Sequence, residues 1–150
     1  MADRDGDEPG AAIVNLAFLG TGALVATSVA AAALPETFGI VHAGVSVVLF
    51  VVGTGALLWA YALGVSRSRA ELIGIPGLFF LAGPTAPAPT RRQLRVAVVV
   101  ESVAVVAAAA IRPFSEVAFG ILAPMFGLGL MGMWGGRHGT FPPRPPKQTS

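Results

Sequence analysis

Four long apolar runs, free of charged side chains except for Glu101 in the third, dominate this sequence and restrict the folds that it can adopt. They cover residues 11–34, 39–65, 96–111 and 117–136. A helix needs about 20 apolar residues to cross the hydrocarbon core of a bilayer. The third run is only 16 residues long, but Arg95 and Arg112 at its ends can extend their side chains toward the headgroups. The sequence therefore predicts an all-α integral membrane protein, a four-helix bundle.

The predicted boundaries divide the chain into one membrane domain and three flanking or connecting segments. The spans lie at about residues 11–34, 39–65, 93–112 and 116–136. Very short loops join the first two spans and the last two, so we expect two antiparallel hairpins. An acidic tail, residues 1–10, and a proline-rich tail, residues 137–150, are predicted to be disordered.

The central loop, residues 66–92, contains an apolar stretch that is too short to cross a bilayer. This stretch, LIGIPGLFFLA at 72–82, is interrupted by Pro76. We expect it to lie in the headgroup plane or to fold back onto the bundle. The next segment, GPTAPAPT at 83–90, carries three prolines and is expected to be an extended linker.

The cationic side chains are distributed very unevenly about the four spans. Nine of the ten lie in the N-terminal tail, the central loop and the C-terminal tail, and only Arg112 lies opposite. Segments rich in Lys and Arg stay on the cytoplasmic side, so both termini are expected to be cytoplasmic, in a bacterial inner membrane. Five loop arginines are predicted to fix this orientation and to meet anionic lipid headgroups: Arg67, Arg69, Arg91, Arg92 and Arg95.

Composition excludes several classes of function. Only 12% of the side chains are charged, against about 25% in soluble domains, so the core is the lipid-embedded part. The chain has no cysteine, which excludes disulfides and thiolate metal sites. No aromatic and basic binding pattern accompanies the arginines, so we expect no nucleic-acid partner.

Glu101 is the one ionisable side chain well inside a predicted span. It lies about 9 Å along the helix from Arg95, near the midplane. A carboxylate there is costly unless it is paired, hydrated or protonated, which makes it a candidate functional site. Matched depths place it level with Gly127 and near Thr21, with Thr54 about one turn away. Small residues follow its face of the helix, which indicates that it faces the bundle or a partner: Ala97, Ala104 and Ala108.

Three interpretations of Glu101 remain open at this point. It can be a structural acid hydrogen-bonded between helices, with a threonine hydroxyl or a backbone carbonyl accepting its proton. It can couple proton or cation movement to transport. It can pair with a cationic residue of another protein.

The fourth span combines a proline with many glycines. Pro124 is expected to leave the carbonyl of Gly120 unpaired and to bend the helix. A bent span beside a buried acid is typical of transporters. Gly127, Gly132 and Gly136 are instead typical of a close helix-packing surface, the interpretation that we favour.

Nothing in the sequence predicts catalysis, a cofactor or a metal. No Ser-His-Asp set, phosphate-binding glycine loop or ligand cluster occurs at one depth. His42 and His138 are expected at opposite faces of the membrane, which excludes haem bound by both. His42 is expected to be an interfacial hydrogen-bonding histidine.

Two resemblances accompany these observations. The arginine-rich stretches GLFFLAGPTAPAPTRR and IRPFSEVAFGILAPMFGLGLMGMWGGRHGTFPPR, together with the four-span layout, resemble small membrane proteins of high-GC, actinobacterial-type bacteria, and imply no activity. The layout is also similar to small multidrug-resistance transporters, which carry a membrane-embedded glutamate in their first span. Here the acid lies in the third span, and the first offers Asn15 and Thr21.

These features lead to one functional hypothesis and two alternatives. The leading hypothesis is a non-enzymatic accessory or scaffolding subunit, forming a homo-oligomer or part of a larger inner-membrane complex. The first alternative is a small proton-coupled exporter that uses Glu101. The second is a lipid or envelope homeostasis factor that binds anionic headgroups through the loop arginines.

Overall fold

The structure, a computed structural model, describes residues 9–145. Over these residues it is all-α and contains no strand, which confirms the predicted fold class. The α-helices are α1 Ala11–Ala33, α2 Pro35–Arg67, α3 Ile75–Phe80, α4 Ala88–Ile111 and α5 Met125–His138. Two 3₁₀ segments, Gly83–Thr85 and Glu116–Leu122, precede α4 and α5. Residues 1–8 and 146–150 of the two tails expected to be disordered lie outside the described residues.

Four helical stretches are long and apolar enough to cross a membrane. They are Ala11–Ala33, Pro35–Arg67, Ala88–Ile111 and Glu116–His138. Their outward faces carry large apolar side chains that no other part of the described chain covers, including Leu58, Val99 and Val103, each about 60% exposed. Soluble monomers rarely expose continuous apolar surface of this kind, so the exterior is suited to lipid.

Two helices begin earlier than the sequence predicted, and both begin at prolines. α2 starts at Pro35, so Leu34 alone separates it from α1 in place of the expected turn at 35–38. α4 starts at Ala88 with Pro89 in its first turn, so the predicted extended linker at 83–90 is wrong. Proline fits the first turn of a helix because the amide hydrogen it lacks has no partner there. As a result α4 has 24 residues, enough to cross a bilayer.

The four spans form a ring in which the fourth is the most enclosed. α1 contacts α2 and α4, and the fourth span lies between α2 and α4. Its closest neighbour is α2, so the chain is more than two separate hairpins. In the most apolar window of the fourth span 56% of residues are buried, against 28–33% in the other spans. Glycines make the close packing of the fourth span on α2 possible. The backbone of Gly53 on α2 lies directly against Phe126 and Gly129, with no room for a Cβ atom at either glycine.

The apolar stretch at 72–82 folds back onto the bundle, one of the two arrangements expected. Its helix α3 packs on α5, where the backbone carbonyl of Leu78 lies against Gly135, and the buried Leu78 side chain lies against Gly64 of α2. The stretch closes with Ala82 donating to the carbonyl of Pro76 and with Leu81 in a left-handed conformation (φ 50°). That conformation costs about 1–2 kcal/mol for a residue with a side chain. Complete burial of Leu81 offsets it, contributing about 1.5–3 kcal/mol.

The described part of the C-terminal tail is an ordered strap across the central loop, contrary to the expected disorder from residue 137 onward. α5 continues to His138, and residues 139–145 then pair with the loop. The amide of Thr140 donates to Thr85, that of Leu72 to Pro142 and that of Arg144 to Ala70, at 2.8–3.0 Å. Proline lacks an amide hydrogen but keeps its carbonyl, so a proline-rich strap can still accept such bonds.

Candidate functional site

Glu101 lies in the middle of α4 and is completely buried within the chain. It belongs to the inward face of the helix, together with Ala97, Val105 and Ala108. No arginine or lysine lies within 4.0 Å of it among the described residues. Its carboxyl group must therefore be stabilised by neutral hydrogen-bond donors.

Two helices supply those donors, one to each oxygen of Glu101. The hydroxyl of Thr21 on α1 donates to Oε1 at 2.8 Å. The backbone amide of Gly127 on α5 donates to Oε2 at 3.2 Å. The acid thereby joins three of the four spans. Thr21 and Gly127 are the residues that the sequence analysis placed at the depth of Glu101.

The amide of Gly127 is available because the fourth span is broken. Its 3₁₀ segment ends at Leu122, and α5 begins again at Met125 after Pro124. The first amides of a helix lack intrahelical acceptors and carry partial positive charge. No side chain of α5 itself caps this end. Glu101, on the neighbouring helix α4, therefore supplies the hydrogen-bond acceptor for an amide in the first turn of α5.

The predicted consequence of Pro124 is wrong in one detail. The carbonyl of Gly120 is not left unpaired, because it accepts the amide of Ala123 at 2.9 Å. In a 3₁₀ turn each amide reaches back three residues, so a residue before Pro124 replaces the missing donor. The break instead leaves the amide of Gly127 to bond outside its own helix, while the amides of Phe126 and Leu128 donate to Ala123 and Pro124.

Glycine is required at position 127 by the approach of α4. A Cβ atom added there would lie 2.7 Å from Oε2 of Glu101 and 2.7 Å from Cγ2 of Val98. Gly20 likewise allows close packing between α1 and α5, because a Cβ at this position would overlap the ring of Phe126. These two glycines let α1, α4 and α5 meet at one level.

Thr54, which the sequence analysis placed about one turn from Glu101, does not contribute to this site. It makes no hydrogen bond to Glu101, and its buried hydroxyl has no partner among the described residues. Asn15, which the transporter resemblance singled out on α1, is exposed. The acid is thus held by Thr21 and Gly127 alone.

The small residues predicted to form packing faces are used largely inside the chain. Ala97 and Ala108 are buried, and Ala104 is half-buried. A Cβ on Gly132 would meet Phe79 of α3, and one on Gly136 would meet α2 at 3.3 Å. Gly132 and Gly136 therefore seat the fourth span against its own neighbours and present no open face to another protein.

The five loop arginines separate into two groups. Arg67 turns inward: it donates to the carbonyls of Gly136 and Gly139 at 2.9 and 2.8 Å and pairs with Glu71 at 2.8 Å. Its guanidinium also lies 5.3 Å from the centre of the Phe141 ring. Arg67 thus caps the end of α5 and holds the strap. Four others stay on the outer surface of the same end: Arg69, Arg91, Arg92 and Arg95.

His42 is a buried polar residue whose environment the sequence interpretation missed. It is fully enclosed, with Nδ1 3.3 Å from the hydroxyl of Thr27 and Nε2 facing the backbone of Gly120. The sequence did not predict this enclosure. α2 begins at Pro35, which places His42 about 10 Å along the helix, against the 3₁₀ segment of the fourth span. Pro35 as a first-turn residue was the available signal.

His138 lies at the other end of the molecule from His42, in the last turn of α5. Its ring centre is 5.7 Å from that of Trp134. Among residues 9–145 no group of three or more His, Asp or Glu side chains is placed to hold a metal ion. Glu101 with Thr21 and Gly127 is accordingly the candidate site of this chain.

Comparison with known proteins finds no matching family model, no similar curated protein and no similar solved structure. The function is therefore argued from the geometry alone.

Proposed function

We propose that this chain is a multi-pass protein of a bacterial inner membrane with both termini in the cytoplasm. Gly10 at the start of α1 lies against Trp134 and His138 at the end of α5, so both described ends share one face. That face also carries the arginines of the central loop, while Arg112 follows α4 at the opposite face. The excess of arginine supports a cytoplasmic assignment for the shared face.

Within that membrane we propose a non-enzymatic accessory or scaffolding role. The observation that carries this proposal is the enclosure of Glu101, whose two oxygens are both occupied by donors from its own chain. An acid used in this way fastens α1, α4 and α5 together. Four surface clefts formed by residues 9–145 lie elsewhere, and Glu101 lines none of these four.

The experiment is purification in a gentle detergent, followed by identification of proteins that elute with the tagged chain. We expect a defined membrane complex that Glu101→Gln preserves, because glutamine keeps the shape and the hydrogen-bonding capacity of the site. Glu101→Ala should reduce the amount of folded chain and of complex together. A wild-type chain that purifies without stoichiometric partners or self-association contradicts the accessory role.

One observation favours a second candidate, a small proton-coupled exporter. The fourth span is discontinuous, and the start of α5 points at a carboxyl group, as the N-termini of half-helices point at anionic substrate groups in secondary transporters. The test is substrate-driven proton movement in proteoliposomes. The exporter requires that Glu101→Gln abolish movement while the chain remains folded, whereas the accessory role requires no movement in either form.

A further inference from the structure

Two surface clefts flank the arginine-rich start of α4. The first, of about 370 Å³, is lined chiefly by Arg91, Arg92, Arg95, Val96, Val99 and Val100. The second, of about 600 Å³, shares Ala88, Arg92 and Val96 with the first and extends to Phe18 on α1. The clefts thus lie on either side of Arg92, each with a cationic end and an apolar end.

The cationic end carries charge that residues 9–145 do not neutralise. No carboxylate lies within 4.0 Å of these three arginines among residues 9–145, where the ion pair present joins Arg67 and Glu71. Arg91 donates to the carbonyl of Gly83, and Arg95 donates twice to that of Phe80. Each guanidinium has five N–H donors, so most of them remain available. Arg92 is exposed and makes no hydrogen bond within the described residues.

The apolar end runs into the membrane. From Val96 to the end of α4 at Ile111 the helix rises about 24 Å, less than the hydrocarbon core of about 30 Å. Because this segment is shorter than the core, the arginines that flank it are drawn to the edges of the core. Arg95 therefore lies at the boundary between headgroups and acyl chains, and Val96, Val99 and Val100 lie deeper in the membrane. Val99 is 60% exposed, so this part of the cleft is open from the side.

We propose that these clefts bind one anionic phospholipid. Its phosphate lies over Arg91, Arg92 and Arg95, where guanidinium groups offer paired donors to phosphate oxygens. Its acyl chains follow the clefts on either side of Arg92, one along Val99 and Val100 and one along Phe18. A small soluble anion would use the arginines but leave the apolar ends uncovered. This inference does not depend on the proposed accessory role.

The test is native mass spectrometry of the full chain in detergent, titrated with phosphatidylglycerol and separately with phosphatidylcholine. We expect phosphatidylglycerol to bind at least tenfold more tightly. Arg92→Gln should weaken it about fivefold, since one basic residue near an anionic surface contributes about that factor. Val99→Trp, which fills the cleft and keeps every charge, should weaken both lipids. Arg69→Gln, an equal charge change on the exposed turn after α2, is the control and should alter binding less than twofold.

Four results would overturn the proposal. The first two are equal binding of the two lipids and equal weakening by Arg69→Gln and Arg92→Gln. Unchanged binding in Val99→Trp overturns the acyl-chain placement, and with it the phospholipid. Complete displacement of phosphatidylglycerol by glycerol phosphate does the same, because it shows a site for a soluble anion. Arg92 and Val99 are exposed, so we expect both variants to fold, and helical circular dichroism checks this.

Discussion

At the scale of single residues, the stability of the bundle centre depends on a polar group that lipid would not tolerate unpaired. Glu101 accepts one hydrogen bond from Thr21 and one from the start of α5. Such bonds contribute more by satisfying buried donors than by their own strength. Removing the acceptor therefore leaves two buried donors without partners.

We predict that Glu101→Ala lowers the free energy of unfolding by about 1–3 kcal/mol, the usual effect of unsatisfied buried donors. Glu101→Gln should lower it by less than about 1 kcal/mol, because the amide can accept from Gly127 and donate to Thr21. The measurement is reversible unfolding in mixed micelles. Val103→Ala, at similar depth on the lipid face of α4, is the control. Equal losses for the alanine and glutamine variants contradict a hydrogen-bonding role.

A second prediction at this scale concerns Gly127, which lies against the carboxyl group of Glu101. Gly127→Ala brings a methyl group within 2.7 Å of Oε2 of Glu101 and of Val98. Overpacking of this kind costs about 1–3 kcal/mol, measured in the same unfolding experiment. Gly55→Ala is the matched control, because nothing lies within 4 Å of a Cβ there. The control should be neutral or slightly stabilising, and an equal loss in both variants argues against close packing at Gly127.

At the scale of elements, the fourth span is discontinuous and both ends of its α-helical part are capped by other elements. Glu101 from α4 meets the start of α5, and Arg67 from α2 meets its end. A cation at a helix C-terminus is favourable because the last carbonyls are unpaired and carry partial negative charge. Both ends of α5 thus depend on side chains from neighbouring helices.

We predict that Arg67→Ala releases the strap at 139–145 while leaving the spans folded. Hydrogen exchange should accelerate at least tenfold at three amides whose bonds join strap and loop, those of Thr140 and Arg144 in the strap and that of Leu72 in the loop. The amides of α1 should exchange as before. Arg69→Ala is the charge-matched control, and equal acceleration in both variants shows that Arg67 does not hold the strap.

At the scale of the whole molecule, the exterior is apolar and the charge lies at the two ends. The absence of cysteine in the chain allows its orientation to be tested with single introduced thiols. Phe114, fully exposed beside Arg112, marks one end, and Ala70 in the arginine-rich loop marks the other.

We predict that a membrane-impermeant thiol reagent labels Phe114→Cys in intact spheroplasts. It should label Ala70→Cys only after the membrane is opened, because the proposed orientation places the arginine-rich end in the cytoplasm. The cysteine-free parent is the control for background. The reverse pattern overturns the proposed orientation, and labelling of both sites in sealed cells argues against a membrane-spanning bundle.

The sequence by itself determined the number of spans, the end of the molecule that carries the arginines and the depth of Glu101. These properties follow from hydropathy, charge and the fixed rise of a helix, all of which can be read along one chain. Even the starts of α2 and α4 were readable in retrospect from prolines that fit a first turn.

Only the tertiary structure decided which groups satisfy one another. The partner of Glu101 on α5 is a backbone amide, and that amide is unpaired only because the fourth span breaks at Pro124. Arg67, predicted to meet lipid, turns inward to the end of α5 instead. Whether a backbone group or a cation needs a partner depends on how helices end and which neighbour reaches that end, and hydropathy along one chain carries no information about either.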